Sequence, residues 1–209
     1  MQKKSYKRQI QAQNTKERIK DCAIELFQEK GYYNTTVEEI AERAKSSIGG
    51  FYYHFKSKDE IMIFSMQVLD NKYTEFFNKI LTDPKFSHLN AIEKIKAVMI
   101  YIVKQICSGG QEFARVSYSY FIRDEETRIM MVNHERKYFK IMEYLINKGK
   151  EEDLIQDNLA AKDVLDYITI LIRGIVVDWC VNRNSYNIEV MCSSIIDLFL
   201  FGILKNKEQ

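Results

Sequence analysis

Breakers of regular structure are scarce in this chain, with one proline and eight glycines in 209 residues. So few of them argue against a turn-dense chain and for long helices with short connections. Histidine appears only as His54, His88 and His134, too scattered for a metal-ligand spacing or a Ser-His-Asp order. Neither a phosphate loop nor a nucleophile elbow occurs, so the chain is expected to be no enzyme and to need no cofactor or metal. The cysteines, Cys22, Cys107, Cys180 and Cys192, form no C-x-x-C pair and no cluster with histidine. They read as small apolar core residues of a reducing compartment, not as a disulfide frame or zinc site. A long uncharged apolar run is missing too. The most apolar stretch, residues 164–181, holds Asp166, Arg173 and Asp178 and makes a poor membrane span. The basic, polar start lacks the apolar stretch of a signal peptide, so a cytoplasmic protein with no membrane partner is expected.

Apolar residues, by contrast, make up 46% of the chain, enough for a sizeable core. The net charge is only +2, but it is unevenly spread. Within residues 1–20, seven basic residues (Lys3, Lys4, Lys7, Arg8, Lys16, Arg18 and Lys20) face one acid, Glu17. That excess suits a polyanion; it suits a solvated, disordered tail equally well.

Ile19, Cys22, Ala23, Leu26 and Phe27 recur at helical spacing, with Asn14 or Thr15 as cap and Gly31 as stop. Val37, Ile40, Ala41 and Ala44 mark a second, short helix, opened by Thr36 and Glu39 as a capping box. After a break at Lys45-Ser46, a third short helix is expected over residues 47–55. Three short helices, the last two joined by a tight turn, describe a helix-turn-helix. Hence a basic, flexible arm is expected over 1–13, a helix-turn-helix unit over 14–57 and a larger unit over 58–209. In the larger unit the pattern predicts helices over 59–81, 88–107, 112–123, 126–148, 160–182 and 188–204. With no strand signal, internal repeat or low-complexity segment, the predicted fold class is all-α, with about nine helices.

The stretch Ser46-Ser47-Ile48-Gly49-Gly50-Phe51-Tyr52-Tyr53-His54-Phe55-Lys56-Ser57-Lys58 is the most informative. Two glycines inside a short helix cost about 1 kcal/mol each relative to alanine. Close approach of the backbone to another surface would offset that. The N–H groups at a helix start and the hydroxyls of Ser46 and Ser47 can bond phosphate oxygens. Tyr52, Tyr53 and His54 crowd polar aromatics onto the same helix, and Lys56 and Lys58 follow where a DNA backbone would pass. Phe51 and Phe55 are expected in the core. A packing turn alone leaves the other residues unexplained.

Around that helix, Thr35-Thr36-Val37-Glu38-Glu39-Ile40-Ala41 and Phe55-Lys56-Ser57-Lys58-Asp59-Glu60-Ile61 resemble the TetR family of bacterial repressors. The resemblance is strong over residues 15–61 and weaker over the remaining helices. It implies an obligate homodimer on double-stranded DNA with a palindromic operator, and a ligand cavity in the C-terminal domain. By position it implies that Thr36 holds a phosphate at the start of the second helix. It also implies that Ser46, Ser47, Ile48, Gly49 and Gly50 enter the major groove, that Tyr52, Tyr53 and His54 touch bases or backbone, and that Lys58 binds phosphate.

Three departures stand out. Lys45 and Ser46 occupy places where the family usually has glycine and an apolar residue. Ile48 replaces a polar or basic residue, and Gly50 often a hydroxyl residue. Ile48 shares a helical face with Phe51 and Phe55, so it either fills the gap left by Ser46 or reaches a thymine methyl. Phosphate contacts should dominate affinity, which should then fall steeply with salt. The basic tail around Lys3 and Arg8 either lies in the minor groove or has no role.

The last two predicted helices are apolar on more than one stripe. A second subunit completing a four-helix bundle is the simplest cover, with Ile172, Val176, Trp179, Ile195 and Phe199 at the interface and Gly174 permitting close contact. Complete burial within one chain is the alternative. Candidates for a cavity taking a small apolar or aromatic effector are Met99, Tyr101, Cys107, Phe113, Tyr118, Phe121, Met130, His134, Tyr138 and Arg173. Ordinary core is the commoner use of each such residue. His134 and Arg173 are polar members that need a partner.

The expected function is a sequence-specific DNA-binding regulator, a dimeric repressor released from its operator by a ligand. One state sets the recognition helices about one DNA turn apart, roughly 34–36 Å, and the ligand favours another. The fourth helix is the lever between them. The alternatives are a regulator acting without a ligand or as an activator, a protein-binding adaptor, and a helical enzyme.

Overall fold

A computed structural model describes residues 2–182 and 186–205. Ten α-helices follow one another among these residues: α1 (Gln2–Lys30), α2 (Val37–Arg43), α3 (Ile48–His54), α4 (Ile61–Thr82), α5 (Ala91–Cys107), α6 (Gly110–Arg123), α7 (Glu125–Val132), α8 (Lys137–Glu151), α9 (Ala161–Val181) and α10 (Ile188–Ile203). Single 3-10 turns at Lys58–Glu60 and Pro84–Phe86 bracket α4. No strand forms among the described residues; one isolated bridge, Ile155 to Leu204, ties the end of α10 to the loop after α8. No described helix is long and apolar enough to cross a membrane.

Local chemistry sets several of these ends. The capping box of α2 is present, with the Glu39 N–H donating to Thr36 Oγ1 and the Thr36 N–H to the Glu39 carboxylate at 2.8 Å. A second capping box, Asn90 with Glu93, opens α5. The only proline starts the turn after α4, where its missing N–H is no loss.

Two helices differ from the expectation. No cap interrupts α1 at Asn14 or Thr15, and residues 2–13 continue the helix instead of forming a flexible arm. The Thr15 hydroxyl donates back to the Gln11 carbonyl, and Gln13 bonds Glu17 one turn on. With no proline or glycine before Gly31, charge alone does not end the helix. The predicted helix over 126–148 is two helices, α7 and α8. Asn133 Oδ1 accepts the Glu135 N–H at 2.9 Å, giving the backbone a local alternative to the helix.

Two apolar clusters result. The smaller gathers Ile19, Ala23, Phe27, Ile40, Phe51, Phe55 and Ile61 from the first helices, but also Met66 from α4 and Val116 and Phe121 from α6. Packing is therefore continuous across the expected boundary at residues 57 and 58. The larger is built by α5, α8, α9 and α10 around Ile95, Met99, Met142, Leu145, Val164, Ile168 and Ile196.

Ile172, Val176 and Trp179, expected between subunits, lie inside this larger core; Ile195 and Phe199 are half-buried against it. Their side of each helix faces helices of the same chain. The apolar residues left outside are Tyr167, Ile170, Val177 and Val181 on α9 and Val190, Met191, Leu198 and Phe201 on α10. Gly174 opens outward beside them, since a Cβ there would meet nothing. Cys180 and Cys192 are buried. Burial pushes the Cys192 thiol up to about 11 and that of Cys107 to about 12, so both stay protonated and poorly nucleophilic.

Candidate nucleic-acid interface and cavity

The connection from α2 to α3 turns on a left-handed residue. Lys45 has φ +48°, its N–H donates to the Glu42 carbonyl at 3.0 Å, and the Ser46 N–H donates to Ala41 at 2.8 Å. These are the two bonds of a Schellman ending with lysine in the place that favours glycine. Arg18 Nε donates to the Ala44 carbonyl and anchors the turn to α1.

Ser47 caps α3, its hydroxyl accepting the Gly50 N–H at 2.9 Å. Phe51 and Phe55 are buried beneath, with ring centroids 5.7 Å apart. The opposite side is open. Tyr53 is 78% exposed, Tyr52 55% and Ile48 45%, and Ile48 belongs to neither apolar cluster. Its side chain therefore does not fill a gap under Ser46.

The two glycines have different reasons. A Cβ on Gly50 would lie 2.4 Å from the half-buried Ser46 Oγ, so Gly50 makes room for that hydroxyl. A Cβ on Gly49 would meet only Ser47 Oγ, at 3.9 Å, so nothing within the chain requires glycine there. Thr36 is exposed and keeps its hydroxyl proton for an outside acceptor. His54 is half-buried, 4.8 Å from the Tyr53 ring; burial first, and then the charge of Lys16, push its pKa down.

Lys58 is more committed than expected. Its Nζ donates to the Tyr32 and Thr35 carbonyls at 2.8 and 2.9 Å and lies 4.1 Å from the Tyr32 ring centroid. Two of three protons thus hold the loop before α2 against the start of α4, leaving one for a phosphate.

A cavity with about 80 Å³ of free space lies among α4, α5, α6, α8 and α9. Phe113, Tyr118, Phe121, Tyr138 and Arg173 line it as expected, joined by Ile172. The other candidates do not. Met99 is fully buried in the core, and Tyr101 stacks on Phe76 at 4.0 Å. Met130 packs against the smaller cluster while its neighbour Met131 lines the cavity. His134 is exposed, held by stacking on Phe139 at 4.4 Å. Cys107 lines a separate hollow between α5 and the start of α10. Sequence reasoning missed Met66, Leu69 and Tyr73 on α4, whose i, i+3, i+7 spacing marks one inward face.

The polar walls are unequal. Arg136 makes a bidentate pair with Asp70 at 2.8 and 3.1 Å. Arg173 donates to the Met131 carbonyl at 2.9 Å and has no carboxylate partner among the described residues. The Tyr138 and Thr169 hydroxyls are 2.8 Å apart, and burial raises Tyr138 to about 12. Burial likewise holds Tyr73 and Tyr118 well above the ordinary phenol value, so all three phenols stay protonated. No group of His, Cys, Asp and Glu among the described residues could hold a metal ion.

Residues 19–63 match the profile of bacterial regulatory proteins, tetR family, and residues 69–202 that of the C-terminal region of YsiA-like proteins. The fatty acid metabolism regulator protein of Bacillus subtilis (strain 168) is 25% identical over 186 residues, spanning 88% of this chain and 93% of that one. Among solved structures, Thermus thermophilus FadR in complex with lauroyl-CoA superposes with a TM-score of 0.70 at 16% identity, covering 92% of this chain and 97% of its own. FadR from Bacillus subtilis in complex with stearoyl-CoA gives 0.66 at 24% identity, covering 89% and 98%. At these identities the structural likeness shows the fold.

Proposed function

The chain belongs to the tetR family of bacterial regulatory proteins and is a DNA-binding transcriptional regulator, and we propose that it acts as a dimeric repressor released from a palindromic operator by an apolar effector. It has no catalytic role in this reading. The carrying observation is that one cavity shares walls with the core under the DNA-reading helix. Met66 and Phe121 line the cavity and also belong to the cluster that seats Phe51 and Phe55. An effector that moves those two side chains moves the platform of α3.

Ile48, Gly49, Tyr52 and Tyr53 form the surface offered to the major groove. Ser47, Thr36 and Lys58 supply phosphate contacts around it. Gly49 lets the α3 backbone approach the base edges. The exposed apolar stripes of α9 and α10 are the surface a second copy covers, with Tyr167, Ile170, Val177, Leu198 and Phe201 in place of the residues turned inward. Leu198 and Phe201, 74% and 77% exposed, are hard to account for on an uncovered helix.

Effector binding needs the walls to shift. A drug-sized ligand fills roughly 300 Å³ or more, against about 80 Å³ here. Two relatives are named for complexes with lauroyl-CoA and stearoyl-CoA, and an acyl chain suits this apolar lining. Release follows if the chain-bound state spaces the two recognition helices differently, because only differential affinity for two states moves an equilibrium.

Selection from a randomised duplex pool tests this reading. The expected product is an inverted repeat bound by two chains and released by an acyl ligand, supplied as laurate or as lauroyl-CoA. Gly49→Ala should bind it more weakly while melting no lower than the parent, since the added methyl makes only an ordinary contact with Ser47 Oγ and favours the helix. Recovery of no preferred sequence, or full binding by Gly49→Ala, would count against the reading.

A further inference from the structure

We propose that the cavity holds the carboxylate of an amphiphilic acid at Arg173, with the Tyr118 hydroxyl donating to it and the hydrocarbon tail lying along α4. The inference rests on the cavity being the effector site and names the chemistry of its ligand.

Two guanidinium groups line a mostly apolar space, and only one is neutralised. Arg136 is matched by Asp70 in a forked pair. Arg173 meets a carbonyl alone, with no carboxylate within ion-pair distance among the described residues. A half-buried guanidinium left that way is poorly compensated for lost water. Its planar fork matches a carboxylate better than any neutral group.

The phenols give the second, independent observation. Tyr73 and Tyr118 line the same cavity, and neither has a hydrogen-bond partner among the described residues. Both stay protonated, so each offers a donor and not a second negative charge. Arg173 and Tyr118 line the cavity together, and the guanidinium charge reaches this phenol, whereas the charge that reaches Tyr73 is that of Arg136. Around them Met66, Leu69 and Ile102 supply apolar wall. The free space suits a headgroup and a few carbons. A longer tail has to displace Met66 and Met131, whose unbranched thioethers adapt readily. A neutral aromatic ligand, or a thioester with its carbonyl in this place, would leave Arg173 uncompensated.

Calorimetric titration of the full-length protein with decanoate, decanol, methyl decanoate and decanoyl-CoA tests the assignment. Decanoate should bind on the order of 10- to 100-fold more tightly than decanol or the methyl ester, the range of a charge-assisted contact. Arg173→Met should remove that preference and leave decanol binding in place. Tyr118→Phe deletes one hydroxyl at constant shape, so it should weaken decanoate and not decanol, and it carries the test if Arg173→Met does not fold. Decanol or decanoyl-CoA binding as tightly as decanoate, or a preference that survives both substitutions, would overturn the carboxylate subsite. Duplex release separates the two readings. Release by decanoyl-CoA but not decanoate sinks the subsite and spares the effector site. Decanoate that binds with its preference but never releases duplex spares the subsite and sinks the effector role.

Discussion

Lys45 occupies a left-handed turn without being glycine, and its conformation has a measurable cost. An L-residue there loses about 1 kcal/mol relative to glycine. Lys45→Gly should therefore raise stability by about that much, which for a chain of this size moves the melting temperature up by roughly 2–4 °C. A lower melting temperature in calorimetry would show that the lysine side chain stabilises the turn in some other way. His54 makes a second residue-scale prediction, with the sign fixed by its surroundings. Its folded pKa lies below 6.5 because burial, and secondarily Lys16, disfavour the imidazolium. The unfolded chain takes up this proton first, so the His54 contribution to stability declines as pH falls below 6.5. Duplex phosphates act the opposite way and favour the charged ring. Binding therefore takes up a proton, and affinity should rise as pH drops from about 7.5 to about 5.5. His54→Gln should flatten that dependence; an equally steep profile in the variant would remove His54 from the contact surface.

Among the elements, those whose ends are written in side chains were the legible ones. The Thr36–Glu39 capping box, the tight turn at Lys45 and the burial of Phe51 and Phe55 follow from local spacing, and all appear. Where local chemistry is silent the pattern misled. The basic start reads as an arm, yet it holds no breaker, and α1 runs through it. The break at Asn133 depends on one side chain bonding its own backbone, which apolar periodicity does not register. On α9 and α10 both faces are apolar, so counting hydrophobic positions does not tell inward from outward. Arg173 and Thr169 carry the missing signal, because polar groups on such a helix need partners and find them on the inner side, at Met131 and Tyr138. The outer stripe is then the complementary one. Phe201→Glu, which alters a side chain that is mostly exposed, should leave the monomer folded and shift the assembly toward it in sedimentation. An unchanged sedimentation coefficient would mean that α10 is not the covered face.

At the scale of the whole molecule, the reader and the sensor are not two separately packed bodies. Glu112 on α6 accepts the Tyr33 N–H at 3.1 Å, and Arg123 faces Asp59 at 3.5 Å across the same seam. With Phe121 and Met66 common to both the cavity and the smaller cluster, displacement at one end has a short mechanical path to the other. None of this matters unless α3 meets duplex DNA. Fluorescence anisotropy of a pool-selected duplex, titrated with the parent protein and with Tyr53→Ala over a range of salt, tests that most directly. Two chains per duplex, affinity falling steeply with salt, and a loss of roughly tenfold in Tyr53→Ala at unchanged melting temperature are the predicted result. Equal binding by Tyr53→Ala, or no duplex held even at low ionic strength, would contradict the account.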